Sequence, residues 1–197
     1  IPVEFQETVL RDCAELGKEL IVESRCEQLT ESKLEWATSI NPSFTVAIGL
    51  EAYDDEVLRF HVNKGFSTSS WDRAVTNLEK FNLRVKTYLM FKPPFMSEAD
   101  ALDHSVKWIE AVAERSDEIS VNPMNIQRGT VIDRLHRHNE YRPPWLWSLV
   151  AMIQRAHPFI HPKGGMNGEA DQVSRLIVHP TAGGKIRGSH NCGSCDG

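Results

Sequence analysis

Three apolar runs in this chain end on residues able to do polar chemistry. "KELIVES" closes on Glu23 and Ser24, with Arg25 next. "FTVAIGLEA" passes through Ile48 and closes on Gly49, Leu50 and Glu51. "RVKTYLMF" runs into Lys92. A carboxylate there can accept hydrogen bonds from hydroxyl groups, and an arginine fork pairs a planar carboxylate. Lys92, held before Pro93 and Pro94, offers a point charge. Each position also has a plainer reading. Glu23 and Glu51 can cap the loops that follow by accepting backbone N–H bonds, and Lys92 can be an ordinary solvated lysine.

The elements that would position these groups alternate along the chain. "EISVNPMNI", from Glu118, is a fourth strand-like run. Between the runs lie helical patterns. "ESKLEWATSI" is short. "DDEVLRFHVNKG" places Val57, Leu58, Phe60, His61 and Val62 near one face and stops at Gly65. "SSWDRAVTNLEKFNL" carries Trp71, Val75, Leu78 and Leu83 at helical spacing, with Ser69 and Asp72 as a capping box. "SEADALDHSVKWIEAVAER" opens on Ser97 and Asp100 and carries Leu102, Val106, Ile109 and Val112. Strand-helix alternation at this length means βαβ units and a parallel sheet, with near-continuous apolar strands covered on both faces. Functional groups then belong at the C-terminal ends of the strands.

A second region begins near Thr130, so the division expected is 1–129 and 130–197. "TVIDRLHRHNEYRPPWLWSLVAMIQRA" is helical on both sides of Pro143 and Pro144, and the remainder is Gly-rich with one short strand, "RLIVHP". Arg134, Arg137 and Arg142 interleave with Tyr141, Trp145 and Trp147. Guanidinium groups suit phosphates and rings suit unstacked bases. The plainer reading is packing, with at least one of the two tryptophans in the core. The tail "HNCGSCDG" offers His190, Cys192 and Cys195, a thiolate pair beside an imidazole that suits zinc. His157, His161 and His179 are candidate further ligands, and an unliganded terminal C-x-x-C is the alternative. Cys13 and Cys26 read as small buried hydrophobes.

Composition is that of a globular protein, 41% hydrophobic and 25% charged with net charge −5. The whole chain therefore does not announce a nucleic-acid binder, although residues 151–197 carry five Lys/Arg against three Asp/Glu. No apolar run reaches the roughly 18 residues that span a bilayer. With no visible signal peptide, a cytoplasmic location is the default expectation. The chain opens on Ile1, which reads as a processed or excised piece of something longer.

"VAIGLEAYDDEVLRFHVNKGFS", joined to "VKTYLMFKPPFMSEADAL", resembles the radical S-adenosylmethionine (SAM) enzymes, in the branch shared by the elongator acetyltransferase subunit and the methylthiotransferases. The shared pattern is Gly49-Leu50-Glu51, Asp55 to Leu58, Asn63 to Gly65 and Val85 to Phe91. "VNPMNIQRGTVIDRLHRHNEYRPPWLWSLV" and "GGKIRGSHNCGSCD" are similar to the archaeal radical SAM subunit of archaeosine synthase. That resemblance implies the C-terminal half of a partial (β/α)6 TIM-like barrel, followed by a small α-rich or irregular module.

It also implies a tRNA-modifying enzyme that forms archaeosine at position 15, a lysine-transferring partner subunit, and SAM with a [4Fe–4S] cluster as cofactors. Glu23, Ser24 and Arg25 would follow the fourth barrel strand. Ile48, Gly49 and Glu51 would belong to the fifth, and Tyr88, Met90 and Lys92 to the sixth, all facing SAM. The family's C-x₃-C-x₂-C cluster loop is missing from these 197 residues. The expectation is a C-terminal piece that is inactive alone; the alternative is a cluster-free α/β module that binds RNA or protein. The resemblance assigns no catalytic residue here.

Overall fold

The computed structural model describes residues 1–160, 162–163, 172–173, 175–180 and 187–190. Cys192 and Cys195 of the expected zinc set, and the candidate ligand His161, lie outside them. The chain opens with helix α1 (Val3–Glu15). Strand β1 (Ile21–Ser24), helix α2 (Glu31–Ile40) and strand β2 (Thr45–Glu51) follow. Next come a short turn α3 (Asp55–Val57), helix α4 (Thr68–Lys80), strand β3 (Arg84–Phe91), helix α5 (Glu98–Ala113) and strand β4 (Glu118–Pro123). Helices α6 (Val131–Arg137) and α7 (Leu146–Ala156) flank the Pro143-Pro144 step as expected. Two-residue strands β5 (Pro162–Lys163) and β6 (Gln172–Val173) pair antiparallel, and strand β7 (Arg175–Val178) ends the series.

The main sheet runs β1-β2-β3-β4-β7, and every pair in it is parallel. This is the expected α/β architecture of successive βα units. From the region after Thr130, β7 pairs with β4, and Leu149, Met152 and Ala156 of α7 join the same core as β2 to β4. β4 and β7 continue the sheet beyond β3.

Only one face of the sheet is predominantly apolar. Val46, Ile48, Leu50, Val85, Leu89, Phe91, Ile119 and Val121 are buried, facing the helices. In β3 the alternation is strict, with Val85, Thr87, Leu89 and Phe91 buried and Lys86, Tyr88 and Met90 half-buried on the other side. That second face carries the polar groups. In β2 that face carries the small residues Thr45, Ala47 and Gly49, which read as part of an apolar run.

Local signals set the helix starts. Thr30 and Thr130 accept from the N–H groups of Lys33 and Asp133. Ser97 Oγ accepts from the Asp100 N–H and donates to the Asp100 carboxylate, the expected capping arrangement. The box on Ser69 and Asp72 does not form, because both residues lie inside α4. There the Thr68 N–H is taken at 2.7 Å by Asp55 Oδ1 from outside the helix. The helix expected after Asp55 turns instead into one π-helical turn, Leu58–Val62, and stops at Asn63 in the left-handed region (φ 53). Phe60 leaves the core and is 62% exposed.

The 187–190 segment is held by a buried carboxylate. Asp133, 1% exposed, lies 2.8 Å from both Arg137 Nη2 and Arg187 Nη1 and accepts from the Gly129 N–H at 2.9 Å. The Ile126 N–H donates to the Arg187 carbonyl at 2.9 Å. The Gly129 N–H bond, with Arg187 and Arg137 adding to it, holds the Asp133 carboxyl below its ordinary value of 3.8, although burial opposes this. A depressed carboxyl stabilises the fold above its unfolded value and loses that contribution as pH falls through its folded one. The segment should stay docked at pH 5–7 and loosen below about pH 3.8. Hydrogen exchange at the Ile126 N–H should show this, and Asp133→Asn should remove the pH dependence. Protection that stays flat to pH 2.5 in the native protein would refute it.

Candidate functional site

At the C-terminal ends of β1, β2 and β3 lies a cleft of about 560 Å³, lined by Glu23, Ser24, Arg25, Ala47, Gly49, Glu51, Tyr88 and Asn122. Parallel pairing makes it. Glu23 lies beside Ala47, and Gly49 beside Tyr88, on the polar face of the sheet. Six of the nine residues expected at a cofactor site, Glu23, Ser24, Arg25, Gly49, Glu51 and Tyr88, therefore meet in one place.

Glu51 shapes the floor. The register slips between Gly49 and Glu51, and Glu51 adopts φ 74. A side-chain-bearing residue in that region costs energy that the surroundings must repay. The turn brings its carboxylate back over Gly49. An added Cβ at Gly49 would lie 3.0 Å from Glu51 Oε1 and 3.1 Å from Lys64 Nζ. Lys64 pairs with Glu51 at 2.9 Å, and its ammonium sits 5.7 Å from the centre of the Phe66 ring. Glu51 is thus neither a loop cap nor a free acceptor; it forms a half-buried ion pair. Arg25 pairs with Glu27 at 2.7 Å, and its guanidinium also lies 5.7 Å from the Phe66 centroid. The Tyr88 hydroxyl donates to Glu23 at 3.3 Å.

The other three expected residues stand elsewhere. Ile48 is fully buried on the helix-facing side, because strand alternation turns it away from Gly49, so its side chain is core. Met90 shares the polar face and pairs in register with Asn122, but it does not line the cleft. Lys92 is neither solvated nor open to a ligand. It is 7% exposed, ion-paired with Glu98 at 2.6 Å, and donates to the Arg142 carbonyl at 2.9 Å.

Sequence reasoning passed over Lys64, Asn122 and the pair Lys86–Glu118. Lys64 was available in "NKG". Lys86 shares the period-2 face of Tyr88, and it joins Glu118 across the register at 2.5 Å. Burial pulls the Lys86 ammonium down, but the bond and charge of Glu118 together with Tyr88 outweigh this and raise it. Cys26, just after the cleft, is buried as expected, and burial pushes its thiol up to about 11; Cys13 is only half-buried.

The second candidate surface is exposed. Arg134, Arg137 and Arg142 reach solvent, Arg137 while paired with Asp133. Trp145 is 43% and Trp147 70% exposed, so neither is core; Tyr141 fills that role at 4%. The expected third site is only partly described. His190 bridges to Trp145, its N–H donates to the Pro144 carbonyl, and its enclosed Nδ1 has no hydrogen-bond partner among the described residues. Those residues contain no group of three or more potential metal ligands. His157 and His179 are exposed. No described helix is long and apolar enough to cross a membrane.

The parallel sheet with its strand-end cleft shares its partial TIM-like fold with solved radical SAM structures. An archaeal Elp3 from Methanocaldococcus infernus matches with a TM-score of 0.70 over 97% of this chain and 47% of its own, at 14% identity. The radical S-adenosylmethionine methyltransferase TsrM from Kitasatospora setae, with cobalamin and a [4Fe–4S] cluster bound, matches with 0.51 over 71% and 27%, at 12% identity. In sequence, the chain is similar to archaeosine synthase subunit beta. It is 34% identical over 196 residues to that protein of Methanosarcina acetivorans, covering 98% of this chain and 54% of the relative. It is 35% identical over 177 residues to that of Thermococcus kodakarensis, covering 89% and 51%. The chain spans about half the length of these curated relatives. No family model matches.

Proposed function

We propose that this chain forms the SAM-binding side of a radical enzyme that makes archaeosine at position 15 of archaeal tRNA. The observation that carries the reading is the convergence of Glu23, Ser24, Arg25, Gly49, Glu51 and Tyr88 on one cleft, in a chain related to archaeosine synthase subunit beta. The cleft fits SAM in kind. Arg25 offers a guanidinium for the amino-acid carboxylate, and Glu23 offers acceptors for ribose hydroxyls. Gly49 lies beneath the Glu51–Lys64 ion pair, and an adenine edge would reach its backbone by displacing that pair.

The cysteines, at 13, 26, 192 and 195, do not supply C-x₃-C-x₂-C, so they do not fit the [4Fe–4S] cluster. In this reading the cluster ligands come from outside these residues, and the chain alone binds SAM without cleaving it. Arg134, Arg137, Arg142 and Trp145 form part of the tRNA surface, and a lysine-transferring subunit is the partner. His190 with Cys192 and Cys195 forms a small zinc site in the same proposal.

Calorimetric titration of SAM into the full chain tests the central claim. Arg25→Ala and Glu23→Gln should each weaken binding roughly tenfold, the scale of one charge-assisted hydrogen bond. Folded variants that both bind SAM as tightly as the native chain would refute the assignment.

A further inference from the structure

The turns that leave β2 and β3 carry a second device that the SAM reading does not use. The π-helical turn after β2 contains Arg59, Phe60 and His61, and the loop leaving β3 contains Pro93, Pro94 and Phe95. Phe60 and Phe95 are each 62% exposed. The His61 and Phe95 rings meet edge to face, with centroids 6.0 Å apart and planes at 83°, and so link the two turns. The Arg59 guanidinium lies 5.0 Å from the Phe60 centroid and forms no ion pair among the described residues.

These rings are held out against a cost. Phe95 has φ 65, a region that bulky residues avoid. Asn63 and Glu51, on the same exit, are also left-handed. Single π turns recur at functional positions. Four of the six non-glycine residues with positive φ (Glu51, Asn63, Lys92 and Phe95) sit at the ends of β2 and β3.

We propose that Phe60, His61 and Phe95 form a stacking platform for one unstacked RNA base on the turns that leave β2 and β3. The chemistry of this surface selects this occupant. Its large exposed apolar side chains are aromatic, whereas those on α1 and along α7 beyond Trp147 are mainly aliphatic. Phe60 lies under the Arg59 guanidinium, a cation suited to a phosphate flanking a base. A flat ring with an adjacent guanidinium is the arrangement by which proteins hold single-stranded bases. An enzyme acting on a base within folded RNA must first take that base out of its stack. The platform rests on the tRNA reading above and adds to it where the base waits, some distance in sequence from Arg134 and Trp145.

The test uses the full chain and two probes: an archaeal tRNA transcript, and single-stranded RNA pentamers with either guanine or an abasic residue at the centre. The native chain should bind the guanine pentamer roughly tenfold more tightly than the abasic one, as loss of one base–aromatic stack predicts. Phe60→Ala with Phe95→Ala should abolish that preference while leaving the abasic affinity and its salt dependence unchanged. Phe95→Trp should keep it. Equal affinity of the native chain for both pentamers, with tRNA still bound, would overturn the platform and leave the tRNA reading standing. Failure of the native chain to bind either tRNA or pentamer would remove both.

Discussion

Replacing Trp71 by alanine should destabilise the protein by about 3–5 kcal/mol, the usual range for deleting a fully buried tryptophan. Trp71 is completely buried in α4. Its ring meets Tyr53 edge to face at 5.8 Å, and the Arg115 guanidinium lies 5.9 Å from its centroid. Arg115 is itself fixed by Glu79 at 2.9 Å and Asp72 at 3.5 Å. The Tyr53 hydroxyl bonds Asp72 at 3.2 Å, and burial, followed by the Asp72 charge, pushes that phenol up. Removing Trp71 thus empties a space from which neighbouring side chains take their positions. The Trp71 Nε1–H has no hydrogen-bond partner among the described residues. Trp71→Phe leaves no acceptor unpaired and keeps most of the ring, so it should cost clearly less than Trp71→Ala. Chemical denaturation of both variants measures the difference. Equal losses would show that the indole is hydrogen-bonded rather than merely packed.

Lys92→Ala should cost about 3 kcal/mol, because it strips one partner from a buried pair. Lys92 Nζ holds Glu98 at 2.6 Å and the Arg142 carbonyl at 2.9 Å, and lies 5.2 Å from the Tyr141 ring centre. The Tyr141 hydroxyl donates to the Lys92 carbonyl at 2.8 Å; burial and the Glu98 charge push that phenol well up, so it keeps the proton it donates. Glu98 uses its second oxygen to accept from the Trp145 N–H at 2.9 Å. One lysine therefore ties the end of β3, the start of α5 and the 141–145 loop, and that loop carries Arg142 and Trp145.

In a chain of this size the loss corresponds to a fall in Tm of roughly 6–12 °C, together with faster proteolysis between Glu140 and Trp145. Lys92→Met combined with Glu98→Gln should recover part of it, and the double-mutant cycle gives the coupling. A change below about 0.5 kcal/mol with unaltered proteolysis would mean that the loop is held without Lys92.

The parallel βα arrangement could be read directly from the chain. Each strand run is short and rich in Val, Ile, Leu and Phe, each is bounded by turn residues, and the helices between carry apolar stripes such as Val106, Ile109 and Val112. Most of the cleft could be read the same way, because chemistry in such folds collects at strand ends and Glu23, Arg25 and Glu51 are written there. Capping chemistry was half legible. Ser97 with Asp100 forms locally. The start of α4 is set by Asp55, thirteen residues upstream, and no window around Ser69 shows that contact.

Which polar residues face the cleft was decided only by tertiary structure. A one-residue change of phase turns Ile48 into core and leaves Gly49 in the floor, and register with neighbouring strands fixes that phase. Lys92 reads as a free charge in sequence. It became a buried staple because Glu98, Tyr141 and the Arg142 carbonyl arrive from three other segments. In sequence at least one of Trp145 and Trp147 reads as core, yet the 141–145 loop buries Tyr141 and leaves both tryptophans in solvent. The local alternation of residue types thus set the elements, whereas long-range pairing, which no short stretch encodes, set which groups meet.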